Sequence, residues 1–401
     1  MAAKTQTLKF KRTVNAPPAE VYRVFTNATA LREWFCDAAQ AEARKGGRLY
    51  CWWNSGYYAS GEFTGLTPDK KVAFTWCGRD EPEATRVRVS LAAKSGGTAV
   101  TVAHGGVGSG KKWVKALAEF KRSWEAALEN LGSVLETGQD LRFVLRPMLG
   151  VNVGEFNAEV AAKLGAPVTE GVRLDGIDEG MGAQAAGLQK DDVVVSIGGT
   201  KTPGWTSLAA ALQKHRAGDK VPVVFYRDGD RQTVTMELSR RPLPEVPPTP
   251  AGLAEAVRRI NAEVEPEIEQ CFTGVSDAEA SHRPEPGEWS AKETLGHIIA
   301  GERDNHLWIA GLVSGQEPDT FPDNVTARYS GMSAVYSISA LLDELKRNQA
   351  ETVAMLAALP PEFVARKGSY WRIGYNLLQP PSHTRDHFVQ MRAAIEAARR
   401  Q

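Results

Sequence analysis

Between Arg240 and Pro250 the chain reads Arg-Arg-Pro-Leu-Pro-Glu-Val-Pro-Pro-Thr-Pro, with five prolines in eleven residues. Proline fixes its own φ and has no backbone N–H, so such a run can neither continue a helix nor sit inside a sheet. It favours an extended polyproline conformation, a semi-rigid linker over 242–251, and it divides the chain. Strand-like alternation dominates before it and helical periodicity after it. At 401 residues the chain also exceeds what one hydrophobic core covers, so two or three domains are expected.

The first segment, 1–138, opens with a strand over Leu8 to Val14 and a helix beginning near Ala16-Pro17-Pro18-Ala19-Glu20-Val21. Alternating stretches follow at Arg48–Trp53, Tyr58–Leu66, Lys71–Trp76, Thr85–Ala93 and Thr98–His104. A helix from Lys111 to about Val134 then carries Trp113, Leu117, Phe120, Trp124, Leu128 and Leu131 at spacings of three or four. The pattern describes a curved antiparallel sheet around one long helix. Val14-Asn15-Ala16-Pro17-Pro18-Ala19-Glu20-Val21-Tyr22, Leu31-Arg32-Glu33-Trp34, Gly61-Glu62-Phe63 and Phe74-Thr75-Trp76 resemble the START/SRPBCC helix-grip fold, in its heat-shock-ATPase-activator-like branch. That resemblance implies an α+β domain with a cavity between sheet and helix, for a small hydrophobic ligand or a protein client. Trp52, Tyr58, Trp76, Trp113 and Trp124 either line such a cavity or fill the core. Gly105-Gly106-Val107-Gly108-Ser109-Gly110-Lys111-Lys112 imitates a phosphate loop, but Lys112 stands where a magnesium-binding hydroxyl belongs and the sheet reads antiparallel. It is read as a flexible glycine-rich turn.

The second segment, 139–241, contains Met148-Leu149-Gly150-Val151-Asn152-Val153, the run from Ala183 to Gly199, a helix near Ser207–His215, and Val221 to Gly229. It resembles a PDZ domain of the bacterial high-temperature-requirement-protease type, mostly β, with no protease domain beside it. A peptide C-terminus would add as a strand to the edge formed by Gly150 to Val153, its carboxylate received by backbone N–H groups at Met148, Leu149 and Gly150. Val151 would lie along the added strand, and Leu208, Leu212 and His215 would form the opposite wall. The alternative is a rigid spacer whose groove is filled from within the chain.

The third segment, 252–401, is helical at about 252–271, 290–314, 337–358 and 381–399, the spacing of an all-α four-helix bundle. Ser290-Ala291-Lys292-Glu293 is a capping box that starts the second helix. His383 and His387 stand i, i+4 on one helix face, and His297 lies in another apolar-periodic helix. Three imidazoles from two helices leave an open coordination position on a metal ion. Glu288-Trp289-Ser290-Ala291-Lys292-Glu293-Thr294-Leu295-Gly296-His297 and His383-Thr384-Arg385-Asp386-His387-Phe388-Val389-Gln390-Met391-Arg392 resemble the DinB family of metal-binding four-helix proteins. The resemblance maps that family's three-histidine site onto His297, His383 and His387, and some of its members are S-transferases for low-molecular-weight thiols. Zinc is the default divalent ion for three neutral imidazoles and water, with nickel, iron and manganese as alternatives. His306 falls on the opposite helix face from His297, and Asp304 returns to the same face about 10 Å further along. Glu293 either orients His297 or caps its helix, Gly301 would leave room above the metal, and Asp386 is a candidate acceptor for an imidazole N–H.

Lys+Arg and Asp+Glu are both 48, so charge points to neither nucleic acid nor an anionic membrane. The N-terminus lacks the apolar core of a signal peptide and no stretch has the length of a membrane span. Cys36, Cys51, Cys77 and Cys271 show no paired metal spacing, so free thiols and a cytoplasmic protein are expected. The functional expectation is a metal-dependent transferase or hydrolase with a peptide-binding module. The alternative is a non-enzymatic adaptor or stress-response scaffold whose metal is structural or sensory.

Overall fold

The computed structural model describes residues 5–321 and 324–400; Met1–Lys4, the start of the stretch read for a signal peptide, lie outside them. The polypeptide forms two compact units, Met1–Gln139 together with Pro244–Gln401, and Asp140–Leu243.

In the first segment seven strands, β1 (Thr5–Val14), β2 (Ala38–Ala41), β3 (Arg48–Trp52), β4 (Tyr58–Thr67), β5 (Lys71–Gly78), β6 (Thr85–Lys94) and β7 (Gly97–Gly108), form one antiparallel sheet. Its order is β1-β7-β6-β5-β4-β3-β2. Helices α1 (Pro18–Thr26) and α2 (Ala28–Trp34) fill the connection from β1 to β2, and α3 (Val114–Thr137) follows the sheet. Period-two burial is clean in β6, where Val87, Val89 and Leu91 face the core and Arg86, Arg88 and Ser90 face water. Helix α3 buries Phe120, Trp124, Leu128, Leu131 and Leu135, one face of a 3.6-residue period. The glycines read as a flexible turn instead extend β7: Gly105 pairs with Thr7 and Arg86, and Gly108 with Thr5. A Cβ at Gly108 would meet the Trp113 indole nitrogen at 2.2 Å, so the missing side chain lets that ring close over the end of the sheet.

At the centre of this core lies His104, fully buried. The Trp124 indole N–H can only donate, so His104 Nδ1 accepts it at 3.0 Å and Nε2 carries the ring proton. That proton faces Thr85 Oγ1 at 2.7 Å, whose hydroxyl donates to the Trp76 carbonyl at 3.1 Å. Burial pushes the imidazole from 6.5 down to about 4.

In the second unit, α4 (Leu141–Val144) leads into β8 (Pro147–Met148), β9 (Val151–Gly154), α5 (Ala158–Lys163), β10 (Val172–Ile177), α6 (Gly182–Ala185), β11 (Val193–Ile197) and β12 (Thr200–Lys201). Then come α7 (Trp205–Leu212), β13 (Lys220–Arg227), β14 (Asp230–Glu237) and β15 (Ser239–Arg240). The main sheet runs β14-β13-β11-β10-β9 with β12 paired to β11, and β15 pairs separately with β8. Leu174, Ile197, Leu208, Val223, Phe225 and Met236 fill its core.

The third segment contains α8 (Pro250–Cys271), α9 (Asp277–Ser281), α10 (Ala291–Ser314), α11 (Thr326–Val335), α12 (Ile338–Ala357), α13 (Pro361–Val364), α14 (Lys367–Leu377) and α15 (Ser382–Arg399). Helices α8, α10, α12 and α15 are the four expected from periodicity; α9, α11, α13 and α14 are too short for a sustained apolar stripe. Two apolar layers fill the bundle, one around Ile268, Leu295, Leu345 and Phe388, the other around Leu253, Ile309, Leu356 and Ile373. The proline run is less of a spacer than its composition implies. Val246 packs against the second layer, the Tyr370 hydroxyl donates to the Pro247 carbonyl at 2.8 Å, and Thr249 caps α8.

The first and third segments meet through buried ions. Glu317 receives Arg372 at 2.6 and 3.0 Å and the Trp308 indole N–H at 2.9 Å, while Arg32 approaches to 3.3 Å. Its backbone N–H donates to Thr29 Oγ1 at 2.9 Å. Burial alone would raise the Glu317 carboxyl; Arg372 and Arg32 outweigh it and hold the group below its ordinary range. Glu33 is also buried, accepts from Arg23 at 3.2 Å and is hydrogen-bonded by Ser369 Oγ. Gly138 ends α3 at φ 83°, and a Cβ there would meet the Lys367 carbonyl oxygen at 2.5 Å, so glycine serves both the helix cap and the close approach.

Two outcomes follow. His104 takes up its proton less readily folded than unfolded, so its contribution is full above pH 6.5 and is lost as pH falls towards 4. The loss is roughly 3 kcal/mol. Urea titrations at several pH values should show a steeper acid loss of stability in the wild type than in His104→Gln, and equal slopes would refute the assignment. Replacing Glu317 by Gln leaves two buried guanidinium groups without their carboxylate and should lower the unfolding free energy by about 3 kcal/mol, measurable by chemical denaturation.

Candidate metal centre

His297 sits in the first half of α10, a helix whose start is set by Ser290: its hydroxyl accepts the Glu293 N–H at 3.2 Å, and Glu293 Oε2 accepts the Ser290 N–H at 3.0 Å. His383 and His387 occupy successive turns at the start of α15. One ligand nitrogen from each of the three lies within 4.8 Å of the other two. The Nε2 atoms of His383 and His387 are 3.2 Å apart. That is close to the ~3.3 Å edge of a tetrahedron with metal–nitrogen bonds of about 2.0 Å. The ring of His297 stands 4.8 Å from that of His387 and 6.2 Å from that of His383, centre to centre. The donor set and its spacing fit a divalent ion with a vacant coordination position.

His387 and His297 each have one ring nitrogen held by a neighbouring side chain. His387 Nδ1 meets the Gln390 amide oxygen at 3.1 Å, an atom that only accepts, so the proton is on Nδ1 and Nε2 presents a lone pair. Burial pushes the His387 imidazole below its ordinary range, favouring the neutral form that a metal ligand needs. His297 Nδ1 lies 3.1 Å from the Tyr329 hydroxyl, and Trp289 and Tyr329 flank that ring with centroids 5.2 and 5.1 Å away. Such outer partners orient ligating imidazoles. Gln390 was within reach of sequence reasoning, three residues after His387 on the same face. Tyr329 was not, because it comes from α11.

The neighbours weighed from sequence have other partners. Glu293 caps its helix and accepts hydrogen bonds from Arg283 at 2.9 Å and Ser330 at 2.6 Å. Asp304 is engaged by both nitrogens of Arg328 at 2.9 Å. His306 Nε2 donates to the Asn348 carbonyl at 3.0 Å, away from the cluster. Arg385 turns to Glu267 and Glu263 on α8. Gly301 is exposed, with no heavy atom within 4 Å of where a Cβ would be. Asp386 is exposed; the Nδ1 partner of His387 is Gln390.

In the second unit β9 is the terminal strand of its sheet, and Val153 on it is 40% exposed. Gly150 precedes it at φ 75° with its carbonyl bonded to the Asp178 N–H, and the Leu149 carbonyl accepts from Ala183. Met148 is paired with Ser239 on β15, and Val151 with Ile177 on β10. Leu208 is fully buried in the core, Leu212 packs on that core, and His215 lies over Gly198, where a Cβ would meet its Nε2 at 2.3 Å.

The aromatics of the first segment divide between the core and the opposite face of the sheet. Trp76, Trp113 and Trp124 belong to the buried core. Trp52 and Tyr58 are cross-strand partners on the face opposite Leu49 and Cys51, and Tyr58 is 42% exposed. Their sequence neighbours Trp53 and Tyr57 pack on the core instead. Among the described residues, no helix is long and apolar enough to cross a membrane.

Three family models match this chain in succession: the Activator of Hsp90 ATPase homolog 1-like protein over residues 15–136, the PDZ domain over 147–238 and the DinB superfamily over 262–391. Among curated proteins, the serine protease Do-like HtrA of Lactococcus lactis is 34% identical over 102 residues, covering 24% of this chain and 25% of that protein. A probable periplasmic serine protease do/HhoA-like of Haemophilus influenzae is 29% identical over 105 residues, covering 26% and 22%. The chain thus spans about a quarter of the length of the curated relatives it matches. Among solved structures, the Aha1 dimer from Colwellia psychrerythraea is 20% identical, with 33% of this chain and 96% of that one covered and a TM-score of 0.30. In order along the chain, the three segments are similar to an Hsp90-ATPase-activator-like domain, a PDZ domain and a DinB-superfamily domain, and His297, His383 and His387 all fall within the third.

Proposed function

We propose that the bundle is a metal-dependent transferase or hydrolase acting on a small molecule, with a thiol as the favoured nucleophile and zinc as the favoured ion. The observation that carries this reading is the cluster of three histidine ligand nitrogens within 4.8 Å, supplied by only two helices. A bound divalent ion would lower the pKa of a water or thiol at its open position. The chain's own part is to direct His387 Nε2 inward through Gln390, and to fix the His297 ring through Tyr329. Four free cysteines, three of them buried, favour a reducing compartment such as the cytoplasm.

The PDZ-like unit binds the C-terminus of a peptide or protein by strand addition along β9, the end of its sheet. The first segment adds a surface for a client or hydrophobic ligand, in keeping with its family match.

Metal analysis tests the centre. Purified protein should carry about one divalent ion per chain, and His383→Ala should lose it. Tyr329→Phe should keep the site but weaken it by about tenfold. A mutant His383→Ala that retains full metal would refute the site. The peptide reading is tested by anisotropy against a library of C-terminal peptides: selective binding that is lost on C-terminal amidation is expected, and flat binding across the library would overturn it.

A further inference from the structure

The bundle is not apolar throughout. Between its two apolar layers lies a polar band: Asn261 on α8, Glu302 and Asn305 on α10, and Asn348, Gln349 and Thr352 on α12. Beside this band is a cavity of about 320 Å³, walled by Val264, Ile298, Leu342 and Phe388 and reaching His383 and Thr384 at the start of α15. Asn261, Glu302, Asn305 and Gln349, all half-buried, line the cavity, and polar groups withdrawn from water cost stability unless something satisfies them.

Two groups without a full complement, Glu302 lacking a lysine or arginine partner and Asn261 lacking an acceptor among the described residues, define the occupant. Glu302 accepts from Thr352 Oγ1 at 3.0 Å, but among the described residues no lysine or arginine pairs with it. The cavity's other carboxylate, Glu265, is already neutralised by Lys346 at 2.7 Å. Burial pushes the Glu302 carboxyl above its ordinary range, against the opposing effects of the Thr352 hydroxyl, the His306 ring and the Asn305 side chain, none of them a fixed positive charge. Asn261 Nδ2 is buried without an acceptor among the described residues. An anion would be repelled by Glu302, and a purely apolar molecule would cover its carboxylate without supplying a counter-charge. A cation would relieve it by a charge-assisted hydrogen bond.

We infer that this cavity is a binding site for a small organic cation, a primary ammonium on an apolar body. The ammonium sits on Glu302, the body lies against Ile298, Leu342 and Phe388, and any acceptor the molecule carries meets Asn261 Nδ2. Because the cavity ends at His383, the occupant lies next to the metal centre, but its binding requires only the cavity.

The full chain, both metal-free and zinc-loaded, is titrated with hexylammonium chloride, with hexanol and sodium hexanoate as controls of equal length. Calorimetry should give a dissociation constant on the order of 1 mM or tighter for the amine, at least about tenfold tighter than for either control. Glu302→Gln should erase the preference for the amine over hexanol. In the wild-type protein, ¹³C-methyl shifts of Ile298 and Leu342 on adding the amine should locate it, independently of how any variant folds. Equal binding of hexanol, tighter binding of hexanoate, no binding of the amine at 20 mM, shifts elsewhere, or selectivity retained in Glu302→Gln would each overturn the inference. Amine binding in protein that takes up no zinc would sink the metal reading alone; zinc uptake without amine binding would sink this one alone.

Discussion

The carboxylate of Glu317, clamped between Arg372 and Arg32, is the contact on which the larger unit depends. A buried carboxylate is tolerated only with cations and hydrogen-bond donors around it, and here its two cations come from different segments, Arg32 from the first and Arg372 from the third. Glu33 repeats the arrangement, with Arg23 on its own side and Ser369 from the bundle. The first and third segments therefore behave as one body, and the PDZ-like unit is an insertion between its two halves. That order of assembly demands long-range closure, since residues such as Asn27 and Gly315 must meet across almost the whole chain before their hydrogen bond forms.

Helix α10 joins the features that matter chemically. It begins at the capping box, carries His297 in its first half, contributes Glu302 and Asn305 to the polar band, and ends at Gly315, whose carbonyl receives the Asn27 amide. His297 and Gly315 lie roughly 27 Å apart along its axis. A rigid element of that length holds the histidine cluster and the interface with the first segment in fixed relation within one unit. Around the cluster, rigidity is supplied locally, by Tyr329 on one imidazole and Gln390 on another. Such orientation spares the ligands a rearrangement when an ion binds.

Period and punctuation made much of this readable beforehand. The 3.6-residue stripe marked α8, α10, α12 and α15 to within two residues, because each is long and buries one face. Period two marked β6 and its neighbours for the same reason. Parity misled at Trp52 and Tyr58: two adjacent aromatics face opposite sides of a strand, and composition does not say which turns inward. The glycines before Lys111 resembled a loop because glycine permits one; pairing of Gly105 with β1 and β6, and of Gly108 with β1, carries the strand as far as Gly108.

The three histidines were identifiable because two share a helix face and the third lies in a second strongly periodic helix. Their convergence, the Tyr329 hydroxyl on α11, the polar band with its cavity, and the union of the first and third segments had no local signature. Each depends on side chains far apart in the chain that come together only after the helices pack, and packing is set by the summed burial of whole faces and not by any one residue. Local chemistry thus settled which elements form and which face of each is apolar. Only the folded arrangement determined which polar groups were left facing one another, and in this protein those groups are the three histidines, the ionic clamp and the cavity carboxylate.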